Sequence, residues 1–221
     1  MSSWLASLLS PLTWRRPQQI VRRLSAFARA EEGSRIDLCA AAAQCTDPTR
    51  AARYIEHARD EARHTRLLMT HARRIATAHS LPPPSPARAD SDALFEQLGE
   101  ADFLAFVHHG ENRAVEQFTS YARWFQHRDA KLAAMFSALL TDEQRHASYS
   151  RALLVTLVGE AQARQKIRRA RRWELWRLWR RAGQYSARHI YHATFLPLLP
   201  LLALLALWVR LVRPDVQGWR R

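Results

Sequence analysis

The chain has 221 residues, of which 48% are hydrophobic and only six are glycine, so it is not a disordered chain and is long enough for one domain with extra segments. Its formal charge of +14 suggests nucleic acid, a membrane surface or acidic molecules as partners. Good helix formers dominate and alternating β-branched runs are few, so the predicted fold class is all-α. Cys39 and Cys45 lie six residues apart on a predicted helix, on different faces, which favours a reducing compartment over a disulfide framework.

Residues 1–16 are predicted to form an N-terminal extension. Their apolar part is short, and the positive charges follow it instead of preceding it, which is not typical of a signal peptide. Two alternatives stay open, a simple extension and a weak interfacial helix broken by Pro11.

The first two predicted helices each carry a glutamate inside an apolar stripe. The first helix spans residues 17–45, and Glu31 lies in the middle of its stripe. The second begins with Asp47 as the N-cap and Pro48 as the first helical residue, and runs to about His79. The stripe of this second helix is unusually polar at its centre, where it contains His57, Glu61 and His64.

The proline-rich stretch at residues 80–91 ends the second helix and is long for a tight hairpin. It predicts a crossover along the length of a four-helix bundle that spans residues 17–159. The third helix is predicted over residues 92–126, and the fourth from an N-cap at Asp129 to near Gly159. Their stripes again contain polar residues, His108 and Glu111 in the third helix and Glu143 and His146 in the fourth.

A five-residue motif occurs twice, as DEARH at residues 60–64 and as DEQRH at residues 142–146. In each E-x-x-H the glutamate and the histidine lie one helical turn apart on the same face. Four ionised glutamates in one core would be costly to bury and would repel each other, and a cation between them is the simplest remedy. Oxygen and imidazole ligands suit iron, manganese or zinc. The sequence therefore predicts a metal site.

Two E-x-x-H pairs, with one further inward glutamate on each of two other helices, form the pattern of ferritin-like di-iron carboxylate proteins. Over roughly residues 17–158 the chain resembles this superfamily, with rubrerythrins and membrane-bound demethoxyubiquinone hydroxylases as the most similar members. The stretches that carry the resemblance are AEEGSRIDL around Glu31 and ENRAVEQF from Glu111.

The resemblance implies two iron ions as cofactors, with manganese as an alternative. It implies that Glu61 and Glu143 bridge the two metals and that Glu31 and Glu111 are terminal ligands. His64 and His146 would each bind one metal, and no catalytic residue beyond the ligands is assigned. Glu32 is the alternative to Glu31 as the first ligand.

Residues next to the ligands are candidates for supporting roles. Asp60 and Asp142 each precede a bridging glutamate, and each is predicted to accept a hydrogen bond from the histidine of the opposite motif. The alternative is that they form exposed ion pairs with Arg63 and Arg145. Two further histidines, His57 and His108, are candidates for an extra ligand, and the alternative for both is a core or rim histidine.

The C-terminal third is predicted to attach the protein to a membrane. Residues 160–190 form a basic amphipathic segment, in which Trp173, Trp176 and Trp179 are expected at the lipid interface. Residues 191–212 form a hydrophobic helix that spans the membrane or lies in one leaflet, or else docks to a partner protein. If it spans, the preceding basic run predicts that the bundle faces the cytoplasm. Residues 213–221 are a tail.

The leading functional hypothesis is a membrane-associated di-iron oxidoreductase that activates O₂ to hydroxylate or desaturate an apolar, lipid-like or quinone-like substrate. Its expected partners are membrane lipid, that substrate, an external electron donor and a second copy of the chain, and nucleic acid is not among them. One alternative is a ferroxidase or peroxide-scavenging protein like rubrerythrin, although the C-x-x-C rubredoxin module is missing from the sequence. A second alternative is RNA modification like that of tRNA hydroxylases, which the charge favours and the apolar tail does not. A degenerate bundle that serves membrane assembly is a third.

Overall fold

The computed structural model describes residues 13–91, 93–195 and 198–212. Residues 1–12 of the predicted extension and the tail at residues 213–221 thus lie outside the described residues. The described chain is all-α, as predicted, and contains no strand. Its helices are α1 (Pro17–Gln44), α2 (Pro48–Ala78), α3 (Leu94–Leu98), α4 (Glu100–Phe125), α5 (Ala130–Phe195) and α6 (Leu198–Val212). The chain divides into two compact units, residues 1–171 and residues 172–221.

Two helix starts follow from side chains that accept hydrogen bonds from free backbone N–H groups. The Asp47 carboxylate accepts from the N–H groups of Thr49 and Arg50 at the start of α2. The Asp129 carboxylate accepts in the same way from the N–H groups of Lys131 and Leu132. Both predicted caps are confirmed.

The predicted start of the third helix is wrong, and Gly99 provides the reason. The short helix α3 ends at Leu98, and Gly99 has a φ of 73°, a left-handed conformation that favours glycine and breaks the helix. The long helix α4 therefore begins at Glu100 instead of residue 92. A second positive φ, 76° at Gly159, interrupts the helical backbone of α5 where the fourth helix was predicted to end.

Contacts at the two ends of the bundle give the helix directions. At one end, the start of α1 (Leu24) meets the end of α2 (Leu68), the end of α4 (Phe118) and the start of α5 (Phe136). At the other end, Tyr54 near the start of α2 packs on Phe103 near the start of α4. Helices α1 and α5 thus run in one direction, and α2 and α4 run in the other.

The connection between α2 and α4 runs from one end of the bundle to the other. Leu81, just after α2, packs on the core cluster at the first end. Ser91 donates a 2.7 Å hydrogen bond to Asp37 of α1, and Phe95 reaches Tyr54 at the second end. The predicted long crossover is confirmed.

Trp14 belongs to the core of the bundle, although it falls within the predicted extension. Its side chain is 3% exposed, and its ring makes edge contacts with Tyr121, Phe125 and Phe136. The segment just before α1 is thereby packed against the end of α4 and the start of α5.

The C-terminal segments are helical, as predicted. The part of α5 after Gly159 covers the basic amphipathic segment, and α6 covers most of the hydrophobic one. The leucines of α6 are exposed, from 44% at Leu198 to 72% at Leu211. Within the described ranges, no helix is both long and apolar enough to span a membrane.

Candidate metal centre

The two E-x-x-H motifs face each other in the middle of the bundle. Glu61 and His64 of α2 and Glu143 and His146 of α5 are all at most 1% exposed. Glu61 lies between the two histidines, with Oε2 3.8 Å from Nδ1 of His64 and Oε1 3.9 Å from Nδ1 of His146. Glu143 does the same, with Oε1 3.3 Å from Nδ1 of His64 and Oε2 3.3 Å from Nδ1 of His146. Each glutamate thus presents a different oxygen to each histidine, which is the arrangement that two bridging carboxylates need.

The two remaining glutamates lie on opposite sides of this pair. One oxygen of Glu31, one of Glu61 and a nitrogen of His64 all lie within 4.8 Å of one another. On the other side, one oxygen of Glu111 lies within 4.8 Å of ligand atoms from Glu61, His146 and His57. The structure therefore brings all six sequence-predicted ligands together in one cluster that could hold metal ions.

Glu31, and not Glu32, faces this cluster. Glu32 accepts two hydrogen bonds from the Arg35 guanidinium, at 2.7 and 2.9 Å. Glu31 is half-buried, which makes it the predicted ligand nearest to solvent, because the other five are buried.

The cluster has two halves, which we call the His64 position and the His146 position. They share the bridging carboxylates Glu61 and Glu143. Glu31 completes the His64 position, and Glu111 completes the His146 position.

Each motif histidine is held from behind by the aspartate of the opposite motif. His64 Nε2 donates to Asp142 at 3.2 Å, and His146 Nε2 donates to Asp60 at 3.1 Å. The bond from Nε2 leaves Nδ1 of each ring facing the glutamates. The two aspartates therefore orient both imidazoles toward the cluster.

The same aspartates form the alternative ion pairs as well. Arg63 contacts Asp60 at 2.6 Å and Asp142 at 3.0 Å, and Arg145 contacts the same two carboxylates at 2.5 and 2.9 Å. The guanidiniums are about half exposed, so the ion pairs themselves contribute little stability. Hydrogen bonds to arginine and histidine outweigh burial and lower the pKa of both aspartates, which keeps them ionised as acceptors.

The extra histidine candidates have different surroundings. His57 is buried within the cluster, and its Nε2 lies 2.7 Å from Glu61 Oε1 and 3.6 Å from Glu111 Oε1. His108 instead donates from Nδ1 to the Ala147 carbonyl at 2.8 Å and is not part of the cluster.

Tyr149 is a site residue that sequence reasoning missed. Its hydroxyl lies 2.7 Å from His57 Nδ1, on the side of the ring that faces away from the glutamates. Burial raises the pKa of Tyr149, and the carboxylates of Glu111 and Glu61 add to this shift, so the phenol keeps its proton. Its spacing of three residues after His146 was the only available signal in the sequence.

Charge in the cluster shifts the pKa values strongly. Burial raises the pKa of Glu31 well above its ordinary value, and Glu61 adds to the shift. Burial likewise raises the pKa of Glu111, with Glu143 as the next cause. Burial disfavours the charged form of His64, but the neighbouring carboxylates of Glu143 and Glu61 outweigh it and raise its pKa to about 10. The metal-free cluster thus has to retain protons that a bound cation would replace.

Three buried atoms in the cluster have no hydrogen-bond partner: Glu61 Oε2, His64 Nδ1 and Glu143 Oε1. Each such atom costs roughly 1–3 kcal/mol when it is left unpaired in the interior. All three are oxygen or imidazole nitrogen atoms, the donors that first-row divalent metals accept. The residues present therefore fit a metal centre.

The three tryptophans of the basic segment are exposed to different extents. Trp176 is 55% exposed and Trp179 is 77% exposed, whereas Trp173 is half-buried.

A scan against protein-family models, a search of curated proteins and a search of solved structures each find no match to this chain.

Proposed function

We propose that this protein is a membrane-associated di-iron oxidoreductase of the ferritin-like type, which uses O₂ to hydroxylate or desaturate an apolar, lipid-like or quinone-like substrate. One observation carries the proposal: four glutamates and two histidines converge in the bundle, and each histidine is oriented by an aspartate of the opposite motif. Two positions built from one histidine, one terminal glutamate and two shared carboxylates match the ligand set of di-iron carboxylate sites.

The residues of the chain would hold and shield the metals. Glu61 and Glu143 would each offer one oxygen to either position, and Asp60 and Asp142 hold the two histidines in place. Ferrous iron bound there would supply electrons for the reduction of O₂. Hydroxylation consumes one O₂, two electrons and two protons and releases one water, so an external donor of two electrons is required.

Membrane attachment is supported by the C-terminal segments. The sequence from Arg164 to Arg188 contains ten lysines and arginines and only one acidic residue, Glu174. The exposed leucines of α6 follow this basic segment in the chain. The 15 residues of α6 extend about 22 Å, short of the roughly 30 Å hydrocarbon core, which favours attachment to one leaflet. We place the bundle on the cytoplasmic side, where anionic lipids attract basic segments.

The decisive experiment is metal analysis of the detergent-purified, full-length protein after anaerobic reconstitution with ferrous iron. We expect about two irons per chain, lost in Glu143→Ala and Glu31→Ala. Glu32→Ala is the matched control, because Glu32 is adjacent in sequence but binds Arg35, and it should retain both irons. Absence of stoichiometric iron in the wild type would instead favour a scaffold role.

Oxygen consumption by the loaded protein separates the proposed activity from iron oxidation. Consumption that requires a reductant and an apolar substrate in vesicles would support the oxygenase. Consumption that follows added ferrous iron, with many irons oxidised per chain, would favour a ferroxidase.

Flotation with anionic vesicles tests the membrane part separately. The wild type should float, and Leu204→Glu with Leu211→Glu should not, because both leucines are exposed on α6. Flotation of this variant like the wild type would contradict attachment through α6.

A further inference from the structure

The two metal positions have the same motif but differ in which atoms already have partners. All three unpaired atoms, Glu61 Oε2, His64 Nδ1 and Glu143 Oε1, belong to the His64 position. They lie on adjacent turns of two packed helices and point at one another. A cation there would satisfy three buried atoms and would displace the long contacts of His64 Nδ1, 3.3 Å to Glu143 and 3.8 Å to Glu61.

The corresponding atoms of the His146 position are paired. Glu61 Oε1 lies 2.7 Å from His57 Nε2, and Glu143 Oε2 lies 3.3 Å from His146 Nδ1. The His57 ring also lies against the His146 ring, with centroids 3.6 Å apart. His57 is thus a fifth residue at this position, and the His64 position has no counterpart to it.

Tyr149 determines how His57 can act. Because the phenol keeps its proton and the Glu61 carboxylate accepts, the two contacts fit a ring whose Nδ1 accepts from the phenol and whose hydrogen lies on Nε2. That hydrogen is then donated to Glu61 Oε1, as the 2.7 Å distance indicates. In this tautomer Nε2 has no lone pair to offer a metal.

We propose that the centre loads in order: a divalent first-row cation fills the His64 position first, and His57 weakens the filling of the His146 position. The second cation competes with the 2.7 Å hydrogen bond from His57 for Glu61 Oε1, whereas no bond as short holds the three atoms of the His64 position. This inference rests on the proposed metal centre and adds the order of loading and the residue that sets it.

The test is an anaerobic titration of the metal-free, full-length protein with Co²⁺, followed by the visible absorption of bound cobalt. The wild type should bind two equivalents in two resolved steps. His64→Ala should lose the tighter step, and His146→Ala should keep the tighter step and lose the weaker one.

The variant His57→Leu distinguishes two roles of His57, a competitor for Glu61 and a metal ligand. The affinity of the second step should change in opposite directions under these two roles. If His57 competes for Glu61, its removal tightens the second step by about tenfold, the equivalent of one hydrogen bond. If His57 is a ligand, its removal weakens that step and the proposal is overturned. The matched control is His108→Leu, which changes a histidine outside the cluster and should leave both steps unchanged.

Tyr149→Phe tests the same idea with a smaller change to the core. Loss of the phenol hydrogen frees the His57 tautomer, so the second step should tighten a few-fold, and weakening would overturn the proposal. Loss of the tighter step in His146→Ala would overturn it as well. If the wild type binds no Co²⁺, the proposed metal centre itself is contradicted. That result is distinct from the results that contradict only the order of loading.

Discussion

The aromatic end of the bundle and its carboxylate centre lie two turns apart on the same helices and have opposite energetics. On each of the four helices α1, α2, α4 and α5, the predicted glutamate ligand is seven residues from a fully buried core residue. These pairs are Leu24 and Glu31, Glu61 and Leu68, Glu111 and Phe118, and Phe136 and Glu143. At the aromatic end the buried cluster is made of hydrophobic side chains, whose packing stabilises the fold. In the centre burial raises the pKa of three glutamates, so that layer opposes folding until it binds protons or a cation.

Because the aromatic layer and the carboxylate centre are separate, we expect that substitutions can change the stability of the fold without changing the cluster, and the reverse. The aromatic layer contributes the apolar burial that offsets the cost of the buried carboxylates.

The largest expected effect comes from the aromatic layer. Phe136 is fully buried and contacts the rings of Trp14, Phe118 and Tyr121. Phe136→Ala should lower the free energy of unfolding by about 3–5 kcal/mol, measured by denaturant titration. The folded fraction should still bind about two irons, and loss of iron without loss of stability would contradict the separation of the two layers.

Metal binding should stabilise the protein through the centre alone. Ferrous iron at 100 times its dissociation constant should raise the free energy of unfolding by about 2.7 kcal/mol per site. Glu31→Ala should abolish part of this gain, and Glu32→Ala should keep all of it, because only Glu31 lies in the cluster. Equal gains in the two variants would show that Glu31 does not bind the metal.

The aspartates should have a smaller effect on metal affinity. Asp60→Asn removes the carboxylate that orients His146 and should weaken iron binding about 10- to 100-fold, measured by competition with a chelator. Arg145→Gln is the control, because it removes an ion pair of Asp60 but leaves the bond to His146. Wild-type affinity in Asp60→Asn would remove the orienting role.

The most gradual effect is that of pH on the metal-free protein. The pKa of His64 is raised to about 10, so its contribution to stability is complete below about pH 6.5 and is lost as the pH rises toward 10. The raised pKa values of Glu31 and Glu111 act in the same direction, because these carboxyls lose protons that the folded state favours. Thermal unfolding between pH 6 and 10 should show a loss of at most about 1.4 kcal/mol per pH unit for each proton. His64→Gln should flatten this dependence, and an increase of stability with pH would contradict it.

The ligand set was predictable because it repeats a local pattern. E-x-x-H spacing places both residues on one helical face, and the tendency of ligating histidines to donate to a carboxylate suggested the aspartate before each glutamate as the acceptor for the opposite histidine. The choice between Glu31 and Glu32 needed the structure, because both lie near the apolar stripe and only the Arg35 contact separates them.

Other features depend on contacts between residues far apart in the chain. His57 and Tyr149 are 92 residues apart, and no local pattern links them. Trp14 precedes the first helix and joins the core only through aromatic residues more than 100 positions later. The break at Gly99 was missed because a single glycine inside an otherwise helical pattern is often tolerated.

The long crossover also divides the chain into two helix hairpins, and each hairpin contributes two glutamates and one histidine to the centre. The α1–α2 hairpin supplies Glu31, Glu61 and His64, and the α4–α5 hairpin supplies Glu111, Glu143 and His146. A protease that cut the proline-rich connection would leave two fragments, each with half of the ligands and one of the two aspartates. The metal would then join separate polypeptides, and its concentration would govern how much of the two fragments stays associated.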